Sequence, residues 1–502
     1  MRISYQGNEP LVIVGNALAG LVAAFERSRA GRPTVLVNVG GPWGGHFAGL
    51  QVGGRRWDIG MVLYEDGERG AGDAPDLSSY DPSRRNDVGR FLSRVATWIA
   101  KRHATRTISG PEMLVGGRRL PDLLLANRWE ALRELPDVRR IRDDLRAAPI
   151  DGPLHPRRKV SWPRDGTGPD GCSELLYESV SRLNHGAGLH ETLLAPFIRK
   201  VLDRDTSGLA ALYHRIAWLP LFWPETLVQA LDGATPAMPA TRFGHPVGEP
   251  VAALVSGLMA ELRSSPQVTL HHATPTRLRT GPFGCTLEFQ QCGPITTRRL
   301  AWAATPAQAL TLAGQPSEGP TEDRLSLLVA FLRLPRAALI TRWSVMHVID
   351  PSVGVYRVTD ASANAGVTAG DCVDLALEAN PDWFARVHPE AMKGKDDSVV
   401  LRAMVLDLVS SGLVVPSTQP VFGHLLRLRG ALPLPTAHSV RVSLKAHERL
   451  KGLLPSAALL GPAAGPFVGS LADQVVQGLS LAAEDPPDTV GLGSRASGEA
   501  VV

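Results

Sequence analysis

Small residues near the N-terminus have the types and spacing that bind a diphosphate. Gly15, Ala17 and Gly20 lie where the apolar run Leu11 to Val14 passes into the helix-like stretch Leu18 to Phe25. Backbone N–H groups at a helix N-terminus, together with the helix dipole, hold phosphate oxygens, and small side chains let the phosphates come close. The pattern therefore predicts the pyrophosphate turn of a dinucleotide site, with alanine in the usual middle glycine slot. The residues expected to line this turn are Gly15, Ala17, Leu18, Ala19 and Gly20.

A second candidate ligand of the dinucleotide ends the next strand. Thr34 to Val37 has the composition of a buried strand, and Asn38 follows it, 23 residues after Gly15. Dinucleotide folds place the group that binds the adenosine ribose here, and that group is usually Asp or Glu. An amide can accept from one hydroxyl and donate to another, but it lacks the charge-assisted bond of a carboxylate. We therefore expect Asn38 to bind the ribose and the cofactor to be held more weakly than usual.

Two further glycine motifs follow in order, Gly44-Gly45-His46 and Asp58-Ile59-Gly60. With the first turn, they make the sequence resemble the FAD-dependent superfamily that includes amine oxidases, protoporphyrinogen oxidase, phytoene desaturases and UDP-galactopyranose mutase. In that superfamily a Gly-Gly-Arg or Gly-Gly-Asn segment is followed by Asp-x-Gly beside the flavin. The resemblance implies that FAD is the cofactor. It adds Gly44, Gly45, His46, Gly60 and Met61 to the expected cofactor-binding residues.

The resemblance continues in order to Ala483. It implies that a strand at Val268 gives backbone contacts to the adenine. It also implies that a turn at Gly461 and a helix from Ser470, its N-cap, close the FAD site, with the helix N-terminus facing the flavin pyrimidine ring. Pro462 stands where a phosphate-binding arginine is frequent. The cofactor-binding residues implied here are Val268, Gly461, Ser470, Leu471 and Gln474.

Candidate substrate-binding residues lie in the middle of the chain. Tyr356 to Thr359 resembles a strand of the mutase-like branch, and alternation would point Tyr356 to one face and Arg357 to the other. Arg357 could equally be an ordinary surface residue. A nucleotide diphosphate would need at least two converging arginines. The candidates for substrate binding are Arg118, Arg119, Arg215, Tyr356 and Arg357, and no catalytic residue can be named.

The composition is that of a globular protein with small-molecule partners. Hydrophobic residues make up 44% and charged residues 20% of the 502 positions, which gives ample length for a large core. Lys and Arg number 53 against 49 Asp and Glu, a net charge of +4, too small to indicate nucleic-acid binding but suited to an anionic cofactor or substrate. No membrane span is expected, four cysteines favour a cytoplasmic location, and homo-oligomerisation is left open. Because His185, His190 and His214 lack metal-ligand spacing, no metal is expected.

These motifs require an α/β fold in which a Rossmann-like FAD-binding domain is interleaved with a mixed α+β substrate domain. Within the substrate domain we expect a helix from Asp122 to Leu135 and a long loop or lid from Arg139 to Asp170. The expected segments of the FAD-binding domain are 1–65, 246–310 and 421–485; those of the substrate domain are 66–245, largely helical, and 311–420, a sheet; 486–502 is expected to be a disordered tail.

Three functions fit these expectations. The first is an FAD-dependent oxidoreductase of the amine oxidase or protoporphyrinogen oxidase type, acting on a small organic or sugar-derived substrate. The second is a mutase that uses reduced FAD on a nucleotide sugar without net redox. The third is a non-catalytic partner protein that keeps the flavin fold, which the departures at Ala17, Asn38 and Pro462 favour. The first is preferred because it covers most of the superfamily.

Overall fold

The computed structural model describes residues 9–66, 75–80, 87–147, 175–211, 219–235, 240–281, 284–290, 292–315, 323–465 and 469–484. Arg215, His214 and the expected tail therefore lie outside the described residues. The helices are α1 Leu18–Arg29, α2 Leu92–Ala100, α3 Val138–Ala147, α4 Tyr177–Leu189, α5 Ala195–Leu202, α6 Pro224–Asp232, α7 Ala252–Ser264, α8 Pro306–Leu312, α9 Ala361–Asn364, α10 Pro381–Val387, α11 Pro389–Lys393, α12 Asp397–Ser410, α13 Ala437–Leu453 and α14 Leu471–Glu484.

The strands are β1 Leu11–Val14, β2 Thr34–Val37, β3 Leu50–Val52, β4 Arg55–Trp57, β5 Tyr64–Glu65, β6 Thr105–Thr107, β7 Glu112–Val115, β8 Arg118–Pro121, β9 Phe243–Pro246, β10 Val268–His271, β11 Pro275–Gly281, β12 Gly284–Phe289, β13 Ile295–Thr297, β14 Leu300–Trp302, β15 Arg324–Pro335, β16 Val345–Val348, β17 Arg357–Asp360, β18 Cys372–Ala379, β19 Phe422–Pro433 and β20 Ala458–Leu459.

A five-stranded parallel sheet carries the N-terminal motif. Its order is β10-β2-β1-β14-β20, with β1 at the centre. Leu11 and Ile13 point into a core shared with α1, α7 and α14, whereas Val12 and Val14 point into a core shared with α13 and the antiparallel β11 to β13. Both faces are covered, which explains why β1 is uniformly apolar and β2 is apolar after Thr34.

A seven-stranded sheet forms the second body of the fold, in the order β19-β15-β18-β17-β16-β7-β8. Alternate residues of β15 enter opposite cores: Phe331 packs in a core with α4 to α6, and Leu332 in one with α10 and α12. Together the two sheets confirm the expected fold, a Rossmann-like domain interleaved with a mixed α+β domain.

Three expectations about segments need correction. β19 lies within the range expected for the FAD-binding domain, 421–485, but pairs with β15, so the chain returns to the parallel sheet only at β20. The expected helix from Asp122 to Leu135 is reduced to a 3-10 turn at Trp129–Arg133, because the Asp122 carboxylate accepts N–H groups of a preceding turn. α3 occupies the start of the expected loop or lid, since Ile141 and Leu145 share a buried face. The other segment boundaries stay predictions.

No described helix is long and apolar enough to span a lipid bilayer.

Candidate functional site

The turn between β1 and α1 accepts only glycine at its first position. Gly15 has φ of +125°, and a Cβ there would lie 2.3 Å from the carbonyl carbon of Ala303. The Gly15 N–H donates to Val37 O at 2.8 Å, which joins the turn to β2. A Cβ on Gly20 would lie 3.0 Å from Ile13 Cγ2, so a small residue lets α1 pack closely on β1. The first and third glycines thus have the geometric roles that a diphosphate turn gives them.

Two glutamines of α14 occupy the backbone donors around this turn. Ala19, in the first turn of α1, donates its N–H to Gln474 Oε1 at 3.3 Å. Gly461 donates its N–H to Gln477 Oε1 at 2.6 Å, and both glutamines are buried. Gln477 Nε2 is also buried and has no hydrogen-bond partner among the described residues. The Ala17 N–H is taken by Ala303 O at 3.2 Å.

Asn38 organises the glycine loop that follows β2. Its Oδ1 accepts the N–H of Gly40 at 2.6 Å, and its Nδ2 donates to Gly41 O at 3.1 Å. Asn16 reaches the same loop from the diphosphate turn and donates to the carbonyls of Gly40 and Pro42. A ribose would therefore have to share or replace the local hydrogen bonds of Asn38.

The Gly44-Gly45-His46 segment is pressed against α7. A Cβ on Gly44 would lie 2.5 Å from Val255 Cγ1, and the Gly44 N–H donates to Asn16 O at 2.7 Å. Gly45 also has a positive φ, of 61°. His46 keeps an exposed surface, although protein atoms crowd much of its ring. Burial lowers the pKa of His46 to about 4, so the ring is neutral at pH 7.

The Asp58-Ile59-Gly60 motif contacts two elements, the start of α7 and strand β18. Asp58 accepts the N–H groups of Val251 and Ala252 at 2.9 and 2.8 Å, which anchors the start of α7. Gly60 has φ of +75°, and a Cβ there would lie 2.7 Å from the Glu378 carboxylate. Met61 donates its N–H to Glu378 Oε1 at 3.0 Å. The residues expected beside a flavin ring therefore touch a buried acid of β18.

Glu378 is the acceptor of a buried polar group on the seven-stranded sheet. Arg357 Nε donates to Glu378 Oε1 at 2.7 Å, Arg357 Nη2 donates to Oε2, and the Tyr356 hydroxyl donates to Oε2 at 3.2 Å. Arg357 and Glu378 are each only 3% exposed. The carboxylate holds the pKa of Arg357 above its usual value despite burial. Arg357 is therefore no surface residue, and Tyr356, which lies just before β17, meets the same carboxylate.

The polar row continues across β16. His347 is directly opposite Arg357 in the β16–β17 pair, so the two share a face. His347 Nδ1 lies 2.9 Å from Asp122 Oδ1, and Asp122 Oδ2 accepts the N–H groups of Leu125 and Ala126. His347 Nε2 is buried without a hydrogen-bond partner among the described residues. Sequence reasoning missed Glu378, His347 and Asp122; for Glu378 and His347 the available signal was a polar residue inside a largely apolar strand.

The arginines proposed for the substrate do not meet. Arg118 and Arg119 lie on β8, at the opposite edge of the sheet from β19, and pair with Glu134 and Glu112. Two strands, β7 and β16, separate β8 from Arg357 on β17. Arg118 and Arg119 are adjacent on β8, so their side chains point to opposite faces of the sheet.

The start of α14 has the expected cap. Asp473 donates its N–H to Ser470 Oγ at 3.0 Å, and the Ser470 hydroxyl donates to Asp473 Oδ2 at 2.7 Å. Burial raises the pKa of Asp473 to about 6. Leu471 is buried in the core beside α1, and Val268 begins the edge strand β10 of the parallel sheet. No cluster of three or more His, Cys, Asp or Glu that could hold a metal occurs in the described ranges.

Comparison with known proteins identifies the fold. No protein-family model and no curated protein sequence matches the chain. Reduced UDP-galactopyranose mutase superposes with a TM-score of 0.65 at 14% identity, covering 94% of this chain and 92% of that one. The chain has the fold of this group of enzymes. A candidate protoporphyrinogen oxidase from Exiguobacterium sp. 255-15 gives 0.62 at 16% identity over 96% and 99% of the chains. Cyclohexylamine oxidase from Brevibacterium oxydans IH-35A gives 0.53 at 15% over 95% and 98%. The resemblance inferred from the motifs is confirmed at the level of fold.

Proposed function

We propose that this chain is an FAD-dependent oxidoreductase that acts on a small organic or sugar-derived substrate. The observation that carries the proposal is the β1–α1 turn, where Gly15 fits only without a side chain and α1 begins at the carboxyl edge of a parallel sheet. This edge is where open α/β sheets bind nucleotides. Gly44 and Gly60, in the two later glycine motifs, are likewise positions where a Cβ would meet neighbouring side chains.

The residues present fit FAD, with one obstacle. The diphosphate would lie at Ala17 to Gly20, the ribose at Asn38 and the adenine near Val268. The flavin ring would lie beside Gly60, Met61 and the N-terminus of α14, whose dipole favours negative charge there. Gln477 Nε2, beside Gly461, has no acceptor among the described residues, and a bound cofactor would supply one. The obstacle is Gln474, whose amide oxygen accepts the Ala19 N–H that a phosphate would use. Bound FAD would supply the hydride acceptor that no side chain provides.

The placement of charge favours oxidation of a neutral substrate over a mutase reaction. A nucleotide sugar carries about two negative charges on its diphosphate and is usually held by paired guanidinium groups. Arg118 and Arg119 are ion-paired at the far edge of the sheet, and Glu378 neutralises Arg357. The proposed substrate is therefore an uncharged organic molecule.

The visible spectrum and oxygen uptake test the proposal. The purified protein, supplemented with FAD, should absorb near ~450 nm, as oxidised flavin does. A panel of alcohols, sugars and amines should then contain a compound that bleaches the flavin and drives oxygen uptake. Turnover of a nucleotide sugar that requires prior reduction and consumes no oxygen would establish the mutase instead. A colourless protein that ignores added FAD would favour the non-catalytic partner.

A further inference from the structure

We propose that Gln474 is a removable cap on the diphosphate site, which must leave the Ala19 N–H before FAD can bind. The inference rests on the proposed use of FAD. It makes cofactor binding an exchange: the amide oxygen of this chain gives way to a phosphate oxygen at the same donor. The consequence is that Gln474 weakens FAD binding, although it lies among the residues expected to line the site.

The cap is a specific contact between two helices. The Gln474 Oε1 atom lies 3.3 Å from Ala19 N, and its side chain is only 6% exposed. Ala19 is the second residue of α1, after the N-cap Ala17, whose own side chain does not cap the helix. Its N–H is one of the donors that a helix N-terminus leaves for a ligand. In this chain the Gln474 side chain of α14 accepts a hydrogen bond from that N–H group.

The same amide closes the space that a phosphate needs. A Cβ on Gly461 would lie 2.7 Å from Ala17 Cβ and 3.7 Å from Gln474 Oε1, so the Ala17 methyl and the Gln474 amide both border the space beside the Gly461 turn. In the dinucleotide fingerprint the middle small residue lets the diphosphate approach the backbone. Here Ala17 and Gln474 narrow that approach together.

Competition between the Gln474 oxygen and a phosphate oxygen for the Ala19 N–H determines how much Gln474 weakens FAD binding. One N–H forms one good hydrogen bond, and an amide oxygen beside a phosphate oxygen repels it electrostatically. Breaking one ordinary intramolecular hydrogen bond weakens ligand binding by about two- to tenfold. A carboxylate at position 474 would bond the Ala19 N–H more strongly, because the bond is charge-assisted and lies at the positive end of α1. It would also repel the diphosphate.

Calorimetric titration of three ligands tests the cap. FAD and ADP contain the diphosphate, whereas riboflavin lacks it. Gln474→Ala should bind FAD and ADP about two- to tenfold more tightly than the native chain and riboflavin equally. Ser480→Ala is the matched control on the same helix: it removes the hydrogen bond of a buried hydroxyl to Leu77 O, leaves the Ala19 cap in place and should not tighten ADP. Gln474→Glu, which keeps the shape of the side chain, should weaken FAD and ADP by at least about tenfold.

Thermal melts supply an independent readout. Without ligand, Gln474→Ala should melt below the native chain because the buried Ala19 N–H loses its acceptor, and FAD should raise its melting temperature by more than it raises that of the native chain. Equal or weaker FAD binding by Gln474→Ala, or unchanged binding by Gln474→Glu, would overturn the cap while leaving FAD binding intact. If neither the native chain nor Gln474→Ala binds FAD, the proposed function fails and the cap with it.

Discussion

Glu378 shows how much of the candidate site depends on single buried charges. Its carboxylate receives hydrogen bonds from Arg357, Tyr356 and the backbone of Met61, so it joins the seven-stranded sheet to the glycine motif at Gly60. Removing one partner of such a buried pair leaves the other charge desolvated without compensation. The pair therefore fixes the backbone at Met61 against the seven-stranded sheet, at the expense of tolerance to substitution.

Glu378→Gln should lower the free energy of unfolding by about 3–5 kcal/mol, because Arg357 is left buried without its counter-charge. The matched control is Asp397→Asn, which removes a pair with Arg427 whose side chains are 38% and 49% exposed. It should cost no more than about 1 kcal/mol. Chemical denaturation of both variants measures the difference. Similar losses in the two variants would contradict a dominant role for the buried pair.

At the level of residues, the sequence predicts what depends on local backbone geometry. Gly15 and Gly20 occupy the tight positions that their spacing predicts, and Ser470 caps α14. Contacts between distant segments could not be predicted, because they depend on packing across the chain. Gln474 meets Ala19 across 455 positions, and Asn38 turned out to bond its own loop.

Among the elements, α14 carries a carboxyl group, Asp473, whose ionised form is disfavoured by burial. Its Asp473 accepts from Ser470 and lies near Tyr80, but burial raises the pKa of the carboxyl to about 6. The same group in an unfolded chain titrates near ~3.9. The folded chain therefore holds this proton more tightly, and the stability that the group contributes is present at low pH and lost as pH rises through about 6.

Asp473→Asn, which cannot ionise, should melt at a higher temperature than the native chain at pH 7.5. The advantage should shrink as the pH falls toward 4, where the carboxyl of the folded native chain is protonated. Thermal unfolding between these two pH values measures it. Asp382→Asn, an exposed residue in the first turn of α10, controls for the loss of an acid near a helix N-terminus. A native chain that melts above Asp473→Asn at pH 7.5 would refute the assignment.

Elements with strong periodicity could be predicted, and those shaped by polar side chains could not. β1, β2 and α14 lie close to their expected positions because their apolar residues repeat with a strand or helix period. The stretch after Asp122 has helical composition, yet its carboxylate binds nearby N–H groups and Asn127 adopts φ of 50°. Such a side chain competes with the helix for its donors.

For the molecule as a whole, chain crossing should make unfolding cooperative. The chain passes from the parallel sheet at β2 to the seven-stranded sheet at β7, back at β10, out again at β15 and back at β20. Neither sheet is built from one continuous segment of the chain. The chain crosses between the two sheets several times, so unfolding one sheet frees the ends of segments that belong to the other.

Scanning calorimetry should therefore give a single main transition, and FAD should raise its temperature. A ligand that binds only the folded chain adds stability of about 2.7 kcal/mol when present at 100 times its dissociation constant. The control ligand is riboflavin, which lacks the diphosphate and should shift the transition less. Two separated transitions, of which FAD moves only one, would show that the two sheets unfold independently.

A crystal structure of the chain grown with excess FAD tests the central claim most directly. The account predicts the FAD diphosphate against Ala17 to Gly20, the flavin ring beside Gly60 and Met61, and the Gln474 amide displaced from the Ala19 N–H. Crystals in which the Gln474 Oε1 atom still accepts from Ala19 and the turn holds no FAD would contradict it.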